Sequence, residues 1–407
     1  VEPLEPDYGG ASIVGIVGPL VSGVRPGWFP EPARGDGPVV LLVLDGLGWS
    51  ALEAHRSLLP NLGRLEGGPI TTVAPSTTAS ALTSLATGLA PADHGIVGYR
   101  MRVEGAVLNV LRWTTDDGAG PDPFVVQRHA AFLGRPVPVV TRGEFRTTRF
   151  TEAHLRGARF VGWSTTSALV QLVRRLVLAE ERVVYAYYPG VDSVAHEFGL
   201  HDEFFRAELI AADRLVGELV DALPRHATLL VTADHGQVHI GREGWIGLDA
   251  LEPLVDAYGG DGRFRYLYAR RGAAGELLTA AREEVGHQAW VLSRDELFDG
   301  GWLGRGEVRP AVRRRVGDVI LAARDPVAFV DPSYTRESQL LAGHGSLTPD
   351  EMLVPLLGSV LHLPPPTSFA RWRAHCAPPS LRAPHLGHAG GGVVALSTGA
   401  VEGVVEE

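Results

Sequence analysis

Residues 38–48, PVVLLVLDGLG, decide the fold. The apolar run is unbroken and stops abruptly at an acid and glycines. With no alternation of polar and apolar positions, it reads as a strand buried on both faces, with functional groups at its carboxyl edge. The pattern recurs in RVVYAYYPGVD (182–192) and ATLLVTADHG (227–236). Three such strands, each ending in an aspartate, imply a parallel sheet whose carboxyl ends converge on one ligand site. The intervening stretches SALVQLVRRLVLAEE (167–181) and FFRAELIAADRLVGELVDAL (204–223) space their apolar residues at three and four, as amphipathic helices do. An α/β fold with a mostly parallel central sheet follows.

Working outward, residues 1–37 read as an N-terminal arm with a short apolar element. The catalytic core is expected over 38–240 and 316–362. Residues 241–315 change character, with GREGWIGLDALEP and a basic RPAVRRRVGD run, and read as an inserted cap. The Pro- and Gly-rich stretch 363–407 reads as a tail. At 407 residues the chain is long enough for one large α/β domain with an insertion.

The net charge of −10 argues against a protein that reads a nucleic-acid surface, which needs a basic patch. It leaves a phosphorylated small molecule open, because bound dications would offset the charge where the substrate sits. Cys376 is the single cysteine, so neither an intrachain disulfide nor a cysteine zinc site can form. The opening VEPLEPDYGG is acidic, and the following ASIVGIVGPLVSGV is short and broken by Gly and Pro. Neither suits an export signal or a membrane span, so a cytoplasmic location is expected.

Asp and His at the ends of buried runs are the side chains that suit a zinc site with open positions. Asp45 closes the first strand. Asp192 and His196 are four residues apart, so one helical turn would place them on one face. Asp234 and His235 lie together in TADHGQ, and His344 lies between glycines in GHGSLTPDE. Each segment alone has an ordinary reading: a helix cap, a surface pair, a turn, a loop histidine. Their combination is what points to metal. In APSTTASALTSLATGLAPADHG (74–95), Thr78 is expected at a helix N-terminus, where free amides favour an anion. Ser and Thr also cap helices, and locally that reading competes.

The ordered set VLDGLG, PSTTASALTSLATG, DHGIVGY, YYPGVDSVAHEFG, VTADHGQ and GHGSLTPDEMLVPLL resembles the alkaline phosphatase superfamily. Within it the chain looks most like the nucleotide pyrophosphatase/phosphodiesterase branch, over residues 38–240 and 316–360. The resemblance implies a three-layer α/β/α sandwich with an inserted cap and two zinc ions, other divalent metals being the alternative. One zinc would be held by Asp192, His196 and His344, the other by Asp45, Asp234, His235 and Thr78. It further implies that Thr78, rather than Ser76 or Thr77, attacks phosphorus and is transiently esterified, with retention after two inversions. The implied substrate is a small phosphate diester or pyrophosphate, a nucleotide among the candidates.

The sequence departs from the branch at Ala81 and Leu82, where Asn and His usually stand. It departs again at Tyr99, where an Asn usually donates to a phosphoryl oxygen; a tyrosyl hydroxyl can take that role. Trp113, Trp163 and Trp245 are candidates for stacking a base, against the alternative of packing. A phosphomonoesterase or phosphonate hydrolase of the same superfamily, and a silent ligand-binding homologue, are the rival readings. The sulfatase nucleophile motif is missing near Thr78, and LDGLG lacks the glycine spacing of a dinucleotide fold.

Overall fold

The computed structural model describes residues 2–116 and 118–359. The expected tail at 363–407, with Cys376, and the last residues of the expected core lie outside them. The central sheet has seven strands: β1 (Val39–Leu44), β2 (Glu66–Thr71), β3 (Pro138–Arg142), β4 (Arg159–Trp163), β5 (Val183–Tyr188), β6 (Thr228–Thr232) and a late strand, Leu353–Gly358. Their spatial order is β2, Leu353–Gly358, β6, β1, β5, β3, β4. Leu353–Gly358 runs antiparallel to both its neighbours, whereas β6, β1, β5, β3 and β4 are mutually parallel. The three strands read from their apolar runs are therefore adjacent at the centre. Every residue of β1 is buried, which requires a layer on each face of the sheet.

Helix α1 (Thr78–Thr87) packs with Val14–Ser22, and α2 (Thr166–Leu178) packs with the long helix α4 (Glu203–Ala222), which follows α3 (Gly190–Phe198). The arm is woven into the core. Ile13, Ile16, Val17 and Phe29 are buried, and Ser12 bridges to Thr71 at the end of β2.

The stretch expected as a cap folds around a second sheet, in the order Val255–Asp261, Phe264–Ala269, Val319–Ala323, Ala289–Ser293. The boundary expected at 315/316 falls inside this sheet, because Val319–Ala323 pairs with Phe264–Ala269 and Ala289–Ser293. Side-chain alternation explains why a short apolar run such as VILAA suits that place. Leu267, Val319 and Leu321 face a small core with Leu277 and Ala281 of α5 (Ala274–Val285). Phe264, Tyr266 and Ile320 face the main core. A third small sheet, of Arg100–Val103, Ala106–Asn109, Thr114–Thr115 and Gly118–Ala119, lies between α1 and β3 in sequence. No described helix is long and apolar enough to cross a membrane.

Candidate active site

The carboxyl ends of β5, β1 and β6 deliver the acids. Asp45 leaves β1, Asp192 and His196 lie on α3 directly after β5, and Asp234 and His235 follow β6. His344 enters from the return segment, just after the short strand Ala342–Gly343, which pairs with Val238–His239. Two groups result, each with its ligand atoms within 4.8 Å of one another: Asp192, His196 and His344, and Asp45, Asp234 and His235. This is the partition that the sequence resemblance implied. The partition depends on a tight turn after β1. Gly46 has φ +75°, and a Cβ there would meet Gln237 Nε2 at 2.5 Å and Asp192 Cα at 3.0 Å.

Backbone carbonyls orient all three imidazoles. His196 Nδ1 lies 2.8 Å from the Ala342 oxygen, His235 Nδ1 3.1 Å from Gly236 and His344 Nδ1 2.9 Å from Ser76. A carbonyl can only accept, so each Nδ1 carries the proton and each Nε2 presents a lone pair to the site. The carboxylates are held in the same half-anchored way. Tyr187 donates to one oxygen of Asp45, the amides of Gly46 and His235 donate to Oδ1 of Asp234, and Gln237 donates to Asp192 Oδ1 at 2.9 Å. Asp45 Oδ1 and Asp234 Oδ2 are fully buried without a hydrogen-bond partner, 3.5 and 3.4 Å from His235 Nε2.

Burial and mutual repulsion raise the Asp45 carboxyl well above the usual range, and burial raises Asp234. Burial, with the neighbouring imidazoles, pushes His344 well below the ordinary histidine value. Orphaned oxygens and neutral imidazole nitrogens turned toward one another are the donor set of a pair of divalent cations, and zinc fits it. Tyr187 and Gln237 were not singled out in the sequence, although both sit inside its motifs.

Thr78 is the first residue of α1, after Thr77 in the N-cap position, whose side chain makes no capping hydrogen bond, and its Oγ1 lies 3.0 Å from His235 Nε2. Thr78 borders two cavities. One, of about 280 Å³, is lined by Asp192, His196, His344, Tyr99, Arg112 and Arg336 among others. The second, of about 170 Å³, has an apolar wall that includes Leu82, Val139, Phe145, Phe150 and Tyr187. Only Thr78 and Leu111 line both.

Tyr99 borders the larger cavity, with its hydroxyl accepting from Asn109 at 2.8 Å and lying 3.2 Å from the Tyr334 hydroxyl. Ala81 is buried, and Leu82 forms wall rather than supplying a polar group. Trp113 and Trp163 are packing residues: Trp113 donates to Pro121 and Trp163 stacks on Tyr188. Trp245 borders the larger cavity, with its Nε1 committed to the Leu340 oxygen.

The sequence profile of the type I phosphodiesterase / nucleotide pyrophosphatase family matches residues 39–347. The chain belongs to that family. It is thus a hydrolase of the alkaline phosphatase superfamily, and the solved structures agree on the fold. Murine ectonucleotide pyrophosphatase / phosphodiesterase 5 superposes with a TM-score of 0.61 at 16% identity, covering 79% of this chain and 87% of that one. An inactive form of the murine protein in complex with AMP gives 0.60 at 16% identity, with the same coverage. Phosphonoacetate hydrolase from Sinorhizobium meliloti 1021 gives 0.57 at 20% identity, covering 84% and 94%. Among curated proteins, GPI ethanolamine phosphate transferase 3 of Schizosaccharomyces pombe is 34% identical over 85 residues. That stretch is 21% of this chain and spans only 9% of the transferase.

Proposed function

We propose that this family member hydrolyses phosphate diesters or pyrophosphates of nucleotide type, with Thr78 as nucleophile. The observation that carries the reading is that Thr78 borders two cavities, one beside the metal-ligand cluster and one apolar. A phosphorus placed there has room for two substituents on separate sides, as a diester or pyrophosphate requires and a monoester does not. Two zinc ions, held by Asp192, His196 and His344 and by Asp45, Asp234, His235 and Thr78, would stabilise negative charge on the entering and leaving oxygens.

The protein's own groups do the rest. The α1 N-terminus presents free amides to an anion beside Thr78. Thr78 loses its hydroxyl proton to solvent water, Oγ1 bonds to phosphorus, and the bond to the leaving oxygen breaks on the far side, facing Asp192, His196 and His344. Water entering from that side cleaves the threonyl ester, so configuration at phosphorus is retained. The apolar cavity beside Leu82 holds the organic group that stays on phosphorus, and a nucleotide-type group is in keeping with the murine relative's having been solved in complex with AMP. Tyr99 contributes a hydroxyl to the wall of the larger cavity.

Parallel assays of the zinc-loaded protein with a nucleoside phosphodiester, a monoester and a phosphonate test this reading. Faster turnover of the monoester or the phosphonate than of the diester would overturn it.

A further inference from the structure

The larger cavity has a polar wall of which the hydrolytic steps above use only Tyr99. The Arg112 amide donates to Asn109 Oδ1 at 3.1 Å, Asn109 donates to the Tyr99 hydroxyl, and that hydroxyl lies 3.2 Å from the Tyr334 hydroxyl. This chain of contacts links the small sheet at 100–119 to the segment carrying Tyr334 and Arg336. Arg112 and Arg336 thus border one cavity from two segments distant in sequence, together with Asp192, His196 and His344.

Both arginines are exposed, and neither has an ion-pair partner among the described residues. The cavity's other charged groups outside the metal ligands are already occupied or turned away. Arg263 is clamped by Glu351 through two hydrogen bonds, Glu337 is paired with Arg265, and both oxygens of Asp261 are buried out of solvent. Beyond the metal ligands, Thr77 and Thr78, the polar side chains left to a ligand are therefore two guanidinium groups and two phenols, set among apolar residues such as Leu111 and Ile240. Guanidinium groups match phosphate oxygens in charge and in planar, two-pronged geometry.

We propose that Arg112 and Arg336 recognise a second phosphate, carried by the leaving group. The inference rests on the hydrolase reading and narrows it. Attack by Thr78 sends the leaving oxygen toward Asp192, His196 and His344, into the cavity that the two arginines border. Substrates whose leaving group is itself phosphorylated, as in a pyrophosphate linkage, are then preferred over those that release a neutral alcohol or phenol.

The test compares two substrates with the same retained group: thymidine 5′-triphosphate, which releases pyrophosphate, and the p-nitrophenyl ester of thymidine 5′-phosphate. The ratio of their kcat/KM values is measured for the wild-type zinc enzyme, Arg112→Ala, Arg336→Ala and the double variant. The ratio should fall about tenfold or more for each single change, as expected for loss of a charge-assisted hydrogen bond, and further for the double. Arg→Lys at each position should restore part of it, because a point charge remains.

A second readout needs no turnover: inorganic pyrophosphate should bind zinc-loaded Thr78→Ala protein about tenfold more tightly than the same protein carrying both Arg→Ala changes. Both arginines are exposed, so the melting temperatures of the variants report whether folding is intact. A double variant whose substrate ratio and pyrophosphate affinity stay within twofold of the parent would overturn the proposal. Wild-type enzyme that turns over neither substrate would instead overturn the proposed diester and pyrophosphate activity, and the pyrophosphate affinities would still decide whether the arginines bind phosphate.

Discussion

Thr78 Oγ1 and His235 Nε2 stand 3.0 Å apart, joining the first turn of α1 to the end of β6 across 157 residues of sequence. His235 Nδ1 is turned to the Gly236 carbonyl, so the nitrogen facing Thr78 carries a lone pair rather than a proton. Thr78→Ala should lower kcat by at least about 10³-fold on a nucleoside diester, as loss of a nucleophile does. Thr78→Ser should retain measurable turnover, and acid-quenched wild-type enzyme should carry phosphorus on Thr78. Full turnover by the alanine variant would remove the covalent step.

The orphaned oxygens of Asp45 and Asp234 bear on stability as well as on chemistry. Chelation should lower the melting temperature, and zinc should restore it with a stoichiometry of two. Zinc at a hundred times its dissociation constant stabilises by about 2.7 kcal/mol per site. Asp45→Asn should lose one of the two ions. Calorimetry showing no shift with zinc would mean that these carboxylates serve another purpose.

Asp261 offers a pH prediction. Burial pushes its carboxyl from 3.8 up to about 8, with the Glu337 charge adding to the effect. The folded protein therefore keeps a proton that the unfolded chain releases. Stability from this group is fully present below the unfolded value and is lost as pH rises toward about 8. In metal-free protein, urea midpoints for wild type should fall more between pH 5 and pH 8 than those of Asp261→Asn. The slopes differ by at most about 1.4 kcal/mol per pH unit. Parallel curves would contradict the assignment.

Arg263 and Glu351 form a buried two-pronged pair, at 2.7 and 2.9 Å, that ties the second sheet to the segment following His344. Glu351 also accepts from the amide of Ser346, two residues from His344. Removing one partner leaves an uncompensated buried charge, so Arg263→Ala should cost about 3–5 kcal/mol in urea denaturation. Zinc affinity should weaken with it. A loss under 1 kcal/mol would show that the contact between sheet and segment does not depend on this pair.

Leu82 stands where the phosphodiesterase branch usually has a polar residue, and it lines the apolar cavity. Leu82→Trp should fill much of the roughly 170 Å³ available there. The kcat/KM for a diester retaining a nucleoside should fall about tenfold or more, and that for a methyl-retaining diester much less, because overpacking blocks only the larger group. Equal losses on both would place the retained group elsewhere.

Most of the Asp and His cluster is legible in the amino-acid sequence. Apolar runs too uniform to be half-exposed mark β1, β5 and β6, and each run stops at an aspartate that the sheet must then deliver to one edge. The cap boundary is less legible. The run at 319–323 is apolar enough for either sheet, and only its partners place it beside Phe264–Ala269. Tyr187 and Gln237 likewise look like any strand tyrosine and any turn glutamine until they are seen donating to Asp45 and Asp192.

The amino-acid sequence by itself determined the parallel centre of the sheet, through buried apolar runs, and the family, through the order and spacing of its motifs, and it named the six Asp and His candidates. Only the tertiary structure decided how closely those side chains gather in two groups beside Thr78, and that Thr78 borders two cavities. It also brought Arg112 and Arg336 to one cavity from 224 positions apart. Cavities and long-range pairs are made by segments that share no local pattern, so they exist only once the chain has packed.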